Sequence, residues 1–146
     1  MASSGRQKLL SFDVMPILQA PLPLRLGAVS EIEMDPEKGV GAKGYALPVP
    51  KGTRPDSMFV VCRRAGETTE LFGYLNDCPH VNTTLDWAPD KFLSWDKRMI
   101  LCATHGAQFR IDDGYCVAGP CVGQGLIPVT VTLDGDEIML ISMTSE

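Results

Sequence analysis

Short apolar stretches separated by turn-forming residues run through most of the chain. The stretch 57–64 (SMFVVCRR) is rich in β-forming residues, and a turn separates it from a similar stretch at 70–75, so the two predict a hairpin. Asp134-Gly135 lies between the last two stretches and is a typical tight hairpin turn. The pattern predicts β-strands at 26–33, 44–47, 57–64, 70–75, 99–104, 107–111, 127–133 and 137–141. Together they predict an all-β domain, built as a small sandwich or barrel.

Two regions depart from this pattern. Three prolines within residues 1–25 resist regular structure, and we expect an N-terminal extension there. Residues 26–146 then form a single domain, which agrees with the length of the chain. Residues 85–97 (LDWAPDKFLSWDK) follow no clear period and predict an irregular segment between strands.

Composition and charge narrow the classes of function. The 14 glycines and 11 prolines favour turns and short strands over long helices. A net charge of −5 argues against nucleic-acid binding. An acidic surface instead favours a partner with a basic docking patch, because opposite charges speed the encounter.

The sequence gives no sign of a targeting segment or a membrane span. The first ten residues lack an apolar core, and the apolar residues 18–26 are interrupted by Pro21 and Pro23. Five cysteines, an odd number, make a poor disulfide framework and are more typical of an intracellular protein that binds metal or does chemistry. We therefore expect a cytoplasmic protein with no membrane span.

Each of the two histidines in the chain lies close to a cysteine. His80 belongs to the motif Cys-Pro-His at 78–80, and His105 belongs to the motif Cys-Ala-Thr-His at 102–105. For either motif alone, a packed thiol beside a surface imidazole is the more ordinary interpretation. Together, two thiolates and two imidazoles complete a four-coordinate set for zinc or for an iron–sulfur cluster.

The pairing of residue types within each motif separates these two possibilities. A zinc finger with two cysteines and two histidines usually pairs cysteine with cysteine and histidine with histidine. Here each motif holds one of each, and in a Rieske centre two cysteines bind one iron while two histidines bind the other. Two such loops suit a cluster gripped from opposite sides. The favoured ligands are Cys78, His80, Cys102 and His105.

The two motifs resemble those of Rieske ferredoxins, C-x-H followed by C-x-x-H-G, and the resemblance extends over residues 39–142. Similar residues also occupy the flanking positions Asn76-Asp77, Phe109, Asp113-Gly114 and Gly119-Pro120. The resemblance implies a Rieske-like fold of small antiparallel sheets with a two-loop cluster-binding tip. It also implies one [2Fe–2S] cluster per chain, with the two cysteines on the buried iron and the two histidines on the outer iron, through which electrons leave.

The connection between the two motifs, residues 81–101, is a few residues longer than in Rieske ferredoxins. The excess is expected within 88–97, close to Trp87, Phe92 and Trp95. These aromatic side chains are more readily explained as a cap on the edge of the core than as a surface that selects a partner.

Two features of high-potential Rieske proteins are missing from the sequence. Proteins of cytochrome bc complexes join their ligand loops by a disulfide, and the corresponding residues here are Thr83 and Thr104. High-potential centres also carry a serine and a tyrosine that donate hydrogen bonds to cluster sulfur, and this chain has Ala107 and Phe109 there. The resemblance therefore predicts a reduction potential of about −150 mV rather than about +300 mV.

Three cysteines lie outside the motifs. Cys62 falls on one face of a predicted strand with alternating pattern, which predicts burial as a small apolar side chain. Cys116 and Cys121 flank Gly119-Pro120, which resembles the proline loop that covers the cluster in Rieske folds. These two thiols are able to pair or to serve a redox role, but packing as reduced cysteines is favoured in a reducing compartment.

The resemblance implies a single-electron carrier that takes electrons from a flavin-dependent reductase and passes them to an oxygenase or another redox enzyme. The alternatives are a permanent electron-transfer subunit of a larger oxidoreductase and a zinc-stabilised interaction module. A catalytic oxygenase is disfavoured, because its mononuclear iron needs two further histidines and the chain has none left. We therefore expect that the chain is not an enzyme by itself.

Overall fold

The computed structural model describes residues 18–79, 83–103 and 106–143. Within these ranges every regular element except one 3₁₀ turn is a β-strand. The strands are β1 Leu24–Ala28, β2 Val40–Ala46, β3 Ser57–Ala65, β4 Thr68–Leu75, β5 Met99–Cys102, β6 Ala107–Arg110, β7 Cys116–Ala118, β8 Pro128–Asp134 and β9 Glu137–Ser142, and the 3₁₀ turn is Val29–Glu31. No helix in this part of the chain is long and apolar enough to cross a membrane.

The strands form two antiparallel sheets. The larger sheet has six strands in the order β1-β9-β8-β4-β3-β2, and the smaller has three in the order β5-β6-β7. The hairpins predicted from sequence are present as β3-β4 and β8-β9. The prediction of an all-β fold with small antiparallel sheets is confirmed.

Strand β3 is buried on both faces, so its side chains contribute alternately to two apolar clusters. Met58, Val60 and Cys62 belong to one cluster, together with residues of β4, β8 and β9. The predicted burial of Cys62 is confirmed, since it is 2% exposed. The other cluster, here called the site-side core, joins the two sheets and contains Val40, Ala42, Phe59, Val61, Tyr74, Cys78, Leu85, Phe92, Ile100, Cys102, Ala107, Phe109, Ile111, Cys116, Cys121 and Leu126.

Polar contacts also hold the small sheet against the large one. The hydroxyl of Tyr74 on β4 donates a 2.6 Å hydrogen bond to the carbonyl of Ile111, just after β6. Arg63 on β3 donates to Asp112, just after β6, at 2.8 Å and to Glu70 on the neighbouring strand β4 at 2.9 Å. The contacts to Ile111 and Asp112 fix the end of β6, which is the strand that follows the second cysteine–histidine motif.

The first strand differs from its prediction. A strand was expected at 26–33, but β1 spans Leu24–Ala28 and the 3₁₀ turn Val29–Glu31 follows it. The reason is its partner: β9 begins at Glu137, opposite Ala28. Beyond this pair the opposite chain enters the turn before β9. The amide of Val29 still donates to the carbonyl of Asp136 at 2.8 Å, but no further ladder pairs form and the strand ends.

Two other strands differ in extent or were not expected. β2 begins at Val40 rather than at 44, because β3 is long enough to pair with it over its full length. β7, Cys116–Ala118, is missing from the prediction. Three residues ahead of Gly119-Pro120 are too few to show an alternating pattern.

The predicted N-terminal extension, residues 1–25, lies only partly within the described ranges. Residues 1–17 fall outside them. Leu24 and Arg25 belong to β1 and pair with β9, and Arg25 forms an ion pair with Glu137. A division of the chain at residue 25 stays a prediction.

Candidate metal centre

The first predicted ligand loop, residues 78–83, follows β4 and is closed at its base by hydrogen bonds. The amide of Cys78 donates to the carbonyl of Thr83 at 2.8 Å. Just outside this pair, the side-chain oxygen of Asn76 accepts a 2.8 Å hydrogen bond from the amide of Leu85. The segment that enters the loop and the segment that leaves it are therefore held together.

The second predicted ligand loop, residues 102–106, connects β5 to β6. The amide of Gly106 donates to the carbonyl of Cys102 at 3.0 Å, which closes a tight turn. Gly106 has φ of +71°, a conformation that glycine adopts without steric penalty. The glycine of the C-x-x-H-G motif is thus explained by the backbone of this turn.

The two loops are joined to each other and bring the two cysteines into one environment. The amide of Ala103 donates to the carbonyl of Leu85 at 3.1 Å, so the second loop is bonded to the chain leaving the first. Cys78 is 1% exposed and Cys102 is fully buried. Both belong to the site-side core. His80 and His105, the other two predicted ligands, lie outside the described residues, as does Thr104.

The predicted proline loop packs against the strand that follows the second ligand loop. Gly119 has φ of +99°, and a Cβ at this position would lie 2.7 Å from the Cα of Ala107, the first residue of β6. Only glycine permits this approach of two backbones. Sequence reasoning identified Gly119-Pro120 but not this contact, which depends on the pairing of β6 with β7.

The side chains that replace the hydroxyl donors of high-potential centres are buried close to the ligand loops. Ala107 is 1% exposed and Phe109 is fully buried, and both belong to the site-side core with Cys102. Neither supplies a hydrogen bond to a cluster sulfur from its side chain. Burial also raises the pKa of Asp77, which precedes the first cysteine.

Cys116 and Cys121 also face the site-side core, with their sulfur atoms 2.6 Å apart. Burial raises the pKa of Cys121 to about 12, and the adjacent sulfur of Cys116 and the charge of Cys78 act in the same direction. All five cysteines lie in the described ranges, and none is joined in a disulfide. Among the described residues, no three His, Cys, Asp or Glu side chains are grouped closely enough to hold a metal ion.

The enlarged segment, residues 88–97, is anchored on one side and exposed on the other. Phe92 is 1% exposed and stacks on Phe59, with ring centroids 4.3 Å apart. In contrast, Trp87 is 64% exposed and Trp95 is 85% exposed. The interpretation of these aromatics as a cap on the core is therefore right for Phe92 and wrong for the two tryptophans.

A groove of about 1050 Å³ separates this segment from β2 and the chain before it. Trp87, Trp95 and Phe92 contribute to its lining, as do Lys43 and Leu101. The carboxylate of Asp90 accepts a 2.8 Å hydrogen bond from the amide of Gly44, which joins one end of the segment to β2. The insertion thus has a defined position on the surface of the larger sheet.

The model of the Rieske [2Fe-2S] domain family matches residues 26–142. The chain belongs to this family. A Rieske-type [2Fe–2S] cluster is therefore its cofactor, and electron transfer is its role. The predicted family, fold class and cofactor are confirmed by this match, whereas the identity of the four ligands is not tested by it.

Solved structures with a similar fold include two ferredoxins. The ferredoxin of carbazole 1,9a-dioxygenase from Nocardioides aromaticivorans IC177 aligns with a TM-score of 0.58 and 20% identity, over 84% of this chain and 99% of that chain. The ferredoxin of Sphingomonas yanoikuyae B1 aligns with a TM-score of 0.55 and 23% identity, over 82% and 98% of the two chains. At these identities the likeness concerns the fold. A comparison with curated protein sequences gives no match.

A similar fold also occurs within larger proteins. The terminal oxygenase of carbazole 1,9a-dioxygenase from Novosphingobium sp. KA1 aligns with a TM-score of 0.59 and 19% identity, over 98% of this chain and 37% of that chain. The similar fold therefore spans nearly the whole of the separate ferredoxins and about one third of the oxygenase.

The residues that the structure describes fit a cluster of this kind. Iron in such clusters is held by thiolates, and Cys78 and Cys102 are two buried cysteines on adjoining loops that would supply two of them. Their burial excludes water from the sulfur side of the site. Asn76 and Gly119 are further residues that shape the site, one by holding the first loop closed and the other by admitting the proline loop. The position of Asn76, two residues before a candidate ligand, was the only sequence signal for its role.

Proposed function

We propose that this chain is a ferredoxin-like carrier of single electrons whose Rieske [2Fe–2S] cluster is held by Cys78, His80, Cys102 and His105. The observation that carries the proposal is the burial of two cysteines, one from each motif, on two loops bonded to each other. Each of these cysteines has the single available histidine of its motif within three positions along the chain. When bound, the cluster supplies one-electron oxidation and reduction.

The protein's own residues would set the surroundings of that cluster. Buried side chains of the site-side core exclude water around the cysteines. Ala107 and Phe109 donate no side-chain hydrogen bond to sulfur, so the more negative reduced cluster is stabilised less. The proposed potential is accordingly near the low end of the Rieske range, about −150 mV. A redox titration with a midpoint well above zero would contradict this assignment.

We further propose a flavin-dependent reductase as electron donor and an oxygenase or another redox enzyme as acceptor. Two of the structural neighbours are complexes between an oxygenase and a ferredoxin of carbazole 1,9a-dioxygenase. A chain that matches nearly the whole length of such a ferredoxin is consistent with the same kind of partner. The proposed compartment is the cytoplasm, where the five cysteines would stay reduced unless bound to iron.

The decisive experiment is anaerobic purification followed by iron and sulfide analysis, visible spectroscopy and EPR of the reduced protein. Two irons and two sulfides per chain with a Rieske-type EPR signal are expected. A colourless protein that contains zinc would instead support the zinc-stabilised module and refute the carrier.

The ligand assignment is tested by replacing one histidine. His80→Cys should remove the Rieske spectral signature, because a thiolate then replaces an imidazole on the outer iron. Cys62→Ser is the matched control, since Cys62 belongs to the other apolar cluster and its loss should leave the spectrum unchanged. An unaltered spectrum in His80→Cys would show that His80 is not a ligand.

A free carrier and a permanent subunit differ in how they purify. The carrier should elute from size exclusion by itself with a full cluster, whereas a permanent subunit should co-purify from its source with a second chain in fixed proportion. Stoichiometric co-purification that survives high salt would favour the subunit.

A further inference from the structure

The sulfur atoms of Cys116 and Cys121 are in direct contact, 2.6 Å apart. A disulfide bond is about 2.0 Å long, so only a small movement separates these two thiols from a covalent bond. Both side chains are buried, with 0% and 1% of their surface exposed. Two buried thiols in contact are either two cysteines that merely pack together or a pair able to form a disulfide. The structure of the chain around them distinguishes the two cases.

The backbone on both sides of the pair is fixed by hydrogen bonds. The amide of Cys116 donates to the carbonyl of Gln124 at 2.9 Å, and the amide of Gln124 donates to the carbonyl of Cys121 at 2.9 Å. The thiol of Cys116 also donates to the carbonyl of Ala118 at 3.3 Å. The contact between the sulfurs is therefore built by the turn and does not depend on two freely rotating side chains.

The turn itself lies at the surface although its two cysteines point inward. Val117 is 39% exposed and Val122 is 59% exposed, and Gly119 and Pro120 are exposed as well. A single layer of chain thus separates the sulfurs from solvent, and opening of this short turn would expose them to a small disulfide or azo oxidant.

The same turn covers the strand that leaves the second ligand loop. Cys116 pairs with Phe109 across β7 and β6, and Gly119 lies against the backbone of Ala107. A covalent link between Cys116 and Cys121 would therefore fasten the chain that carries Gly119-Pro120 onto β6.

Metal binding explains the pair of thiols less well than disulfide formation does. In the described residues no third His, Cys, Asp or Glu side chain is grouped with these two thiols in a metal-binding arrangement. Cys62, the remaining cysteine outside the two motifs, lies in the other apolar cluster. Cys78 and Cys102 share the site-side core with the pair but are the proposed cluster ligands. Within the described residues the sulfurs of Cys116 and Cys121 are therefore each other's reaction partners.

We propose that Cys116 and Cys121 are a reversible dithiol–disulfide pair that locks the proline loop over the cluster side of the molecule. The oxidant is a low-molecular-weight disulfide, R–S–S–R, of the glutathione class. One cysteine sulfur attacks it and releases the first R–SH, and the second cysteine attacks the mixed disulfide and releases the second R–SH. Two electrons pass from the protein thiols to R–S–S–R, and their two protons leave on the two R–SH molecules.

Neither the proposed function nor the family match assigns a role to this pair of cysteines. It also differs from the loop disulfide of high-potential Rieske proteins, which would fall at Thr83 and Thr104. The pair forms whether or not the cluster transfers electrons, so the two proposals are tested separately. The visible spectrum of each sample reports the cluster, and the peptide masses report the thiols.

The test equilibrates the purified holoprotein anaerobically in buffers with increasing ratios of oxidised to reduced glutathione. Samples are quenched in acid, alkylated under denaturing conditions and digested. The small azo oxidant diamide, which takes up the same two electrons and two protons to become a hydrazine, is used in parallel, so that exclusion of glutathione is not mistaken for an absence of reactivity. Hydrogen exchange of the amides of Cys116 and Gln124 is measured on the oxidised and reduced forms.

Oxidation should give a peptide that links Cys116 to Cys121 and is lighter by two hydrogens, while Cys62 stays fully alkylated. Exchange of the two amides should slow several-fold in the oxidised form, and reduction should restore it. The variant Cys116→Ser/Cys121→Ser should show no response to either oxidant. The absence of a linked peptide with both glutathione and diamide would overturn the proposal, as would preferential linkage of either cysteine to Cys62.

Discussion

The side chain of Asn76 accepts a hydrogen bond from the amide of Leu85 across the base of the first predicted ligand loop. Its amide nitrogen also donates to Asp86 at 3.2 Å, and Asn76 is only 6% exposed. One buried side chain therefore joins the chain that enters the loop to the chain that leaves it.

Replacing Asn76 should loosen this loop. Asn76→Ala leaves the buried amide of Leu85 without its acceptor, and we expect a loss of about 1–3 kcal/mol in the free energy of unfolding. Chemical denaturation of the holoprotein measures this loss, and hydrogen exchange should show faster exchange at Leu85. Asp86→Ala is the control, because it removes only the longer hydrogen bond and should have a smaller effect. Equal losses in the two variants would contradict the role assigned to Asn76.

Phe92 and Trp95 lie three residues apart in the same segment, but they should respond very differently to truncation. Phe92→Ala removes a buried ring stacked on Phe59, and a loss of about 3–5 kcal/mol in stability is expected. Trp95 is 85% exposed, so Trp95→Ala should change stability by no more than about 0.5 kcal/mol. Thermal or chemical unfolding of the two variants makes the comparison. A large loss in Trp95→Ala would show that this side chain packs against the protein.

Gly119 and Gly123 provide a matched pair for the proline loop. Both have φ of +99°, but an added Cβ meets Ala107 only at Gly119, whereas at Gly123 it meets nothing within 4 Å. Gly123→Ala should therefore lower the free energy of unfolding only by the backbone strain, about 1–3 kcal/mol. Gly119→Ala should lower the free energy of unfolding by more than this, and it should also weaken retention of the cluster. Unfolding midpoints and the rate of loss of visible absorption test the difference, and an equal cost at both positions would refute a close contact with Ala107.

Cys62 should make stability fall at alkaline pH. Burial raises the pKa of its thiol in the folded protein, although the charge of Arg64 acts in the opposite direction. In the unfolded chain the thiol ionises at about 8.5. Above that pH and up to the folded pKa, the folded state holds more protons than the unfolded state, so the free energy of unfolding decreases as pH rises.

The variant Cys62→Ala isolates this contribution. Its absolute stability will be lower because a buried side chain is truncated, so the comparison concerns only the slope against pH. Denaturation curves from pH 7 to pH 10 should fall less steeply for the variant than for the unchanged protein. Parallel curves would show that Cys62 does not take part in the alkaline loss.

Much of the fold follows from local sequence. The two hairpins were predictable because each combines a run of β-forming residues with a turn, such as Asp134-Gly135, that brings the next strand back. The end of β1 was not, because it is set by where β9 begins, at Glu137. Neither residue pattern nor propensity near Ala28 contains that information.

The site divides in the same way. Residue identity and spacing were sufficient to predict that Cys78 and Cys102 lie in one environment, which their shared burial in the site-side core confirms. Their role as iron ligands stays a prediction. The different burial of Phe92 and Trp95 was not predictable, since both are aromatic and only the three-dimensional path of the segment decides which one meets Phe59. The contact between Cys116 and Cys121 likewise depends on a turn that places their sulfurs together.

The exposure of both tryptophans determines what the protein's own fluorescence can report. Trp87 and Trp95 are the only two tryptophans in the chain, and both lie at the surface in or beside the segment 88–97. From this exposure we expect the native emission wavelength to be that of a water-exposed indole, so denaturation should shift it very little. The same emission should respond when another molecule covers this segment, which makes it a label-free indicator of complex formation and a poor indicator of unfolding.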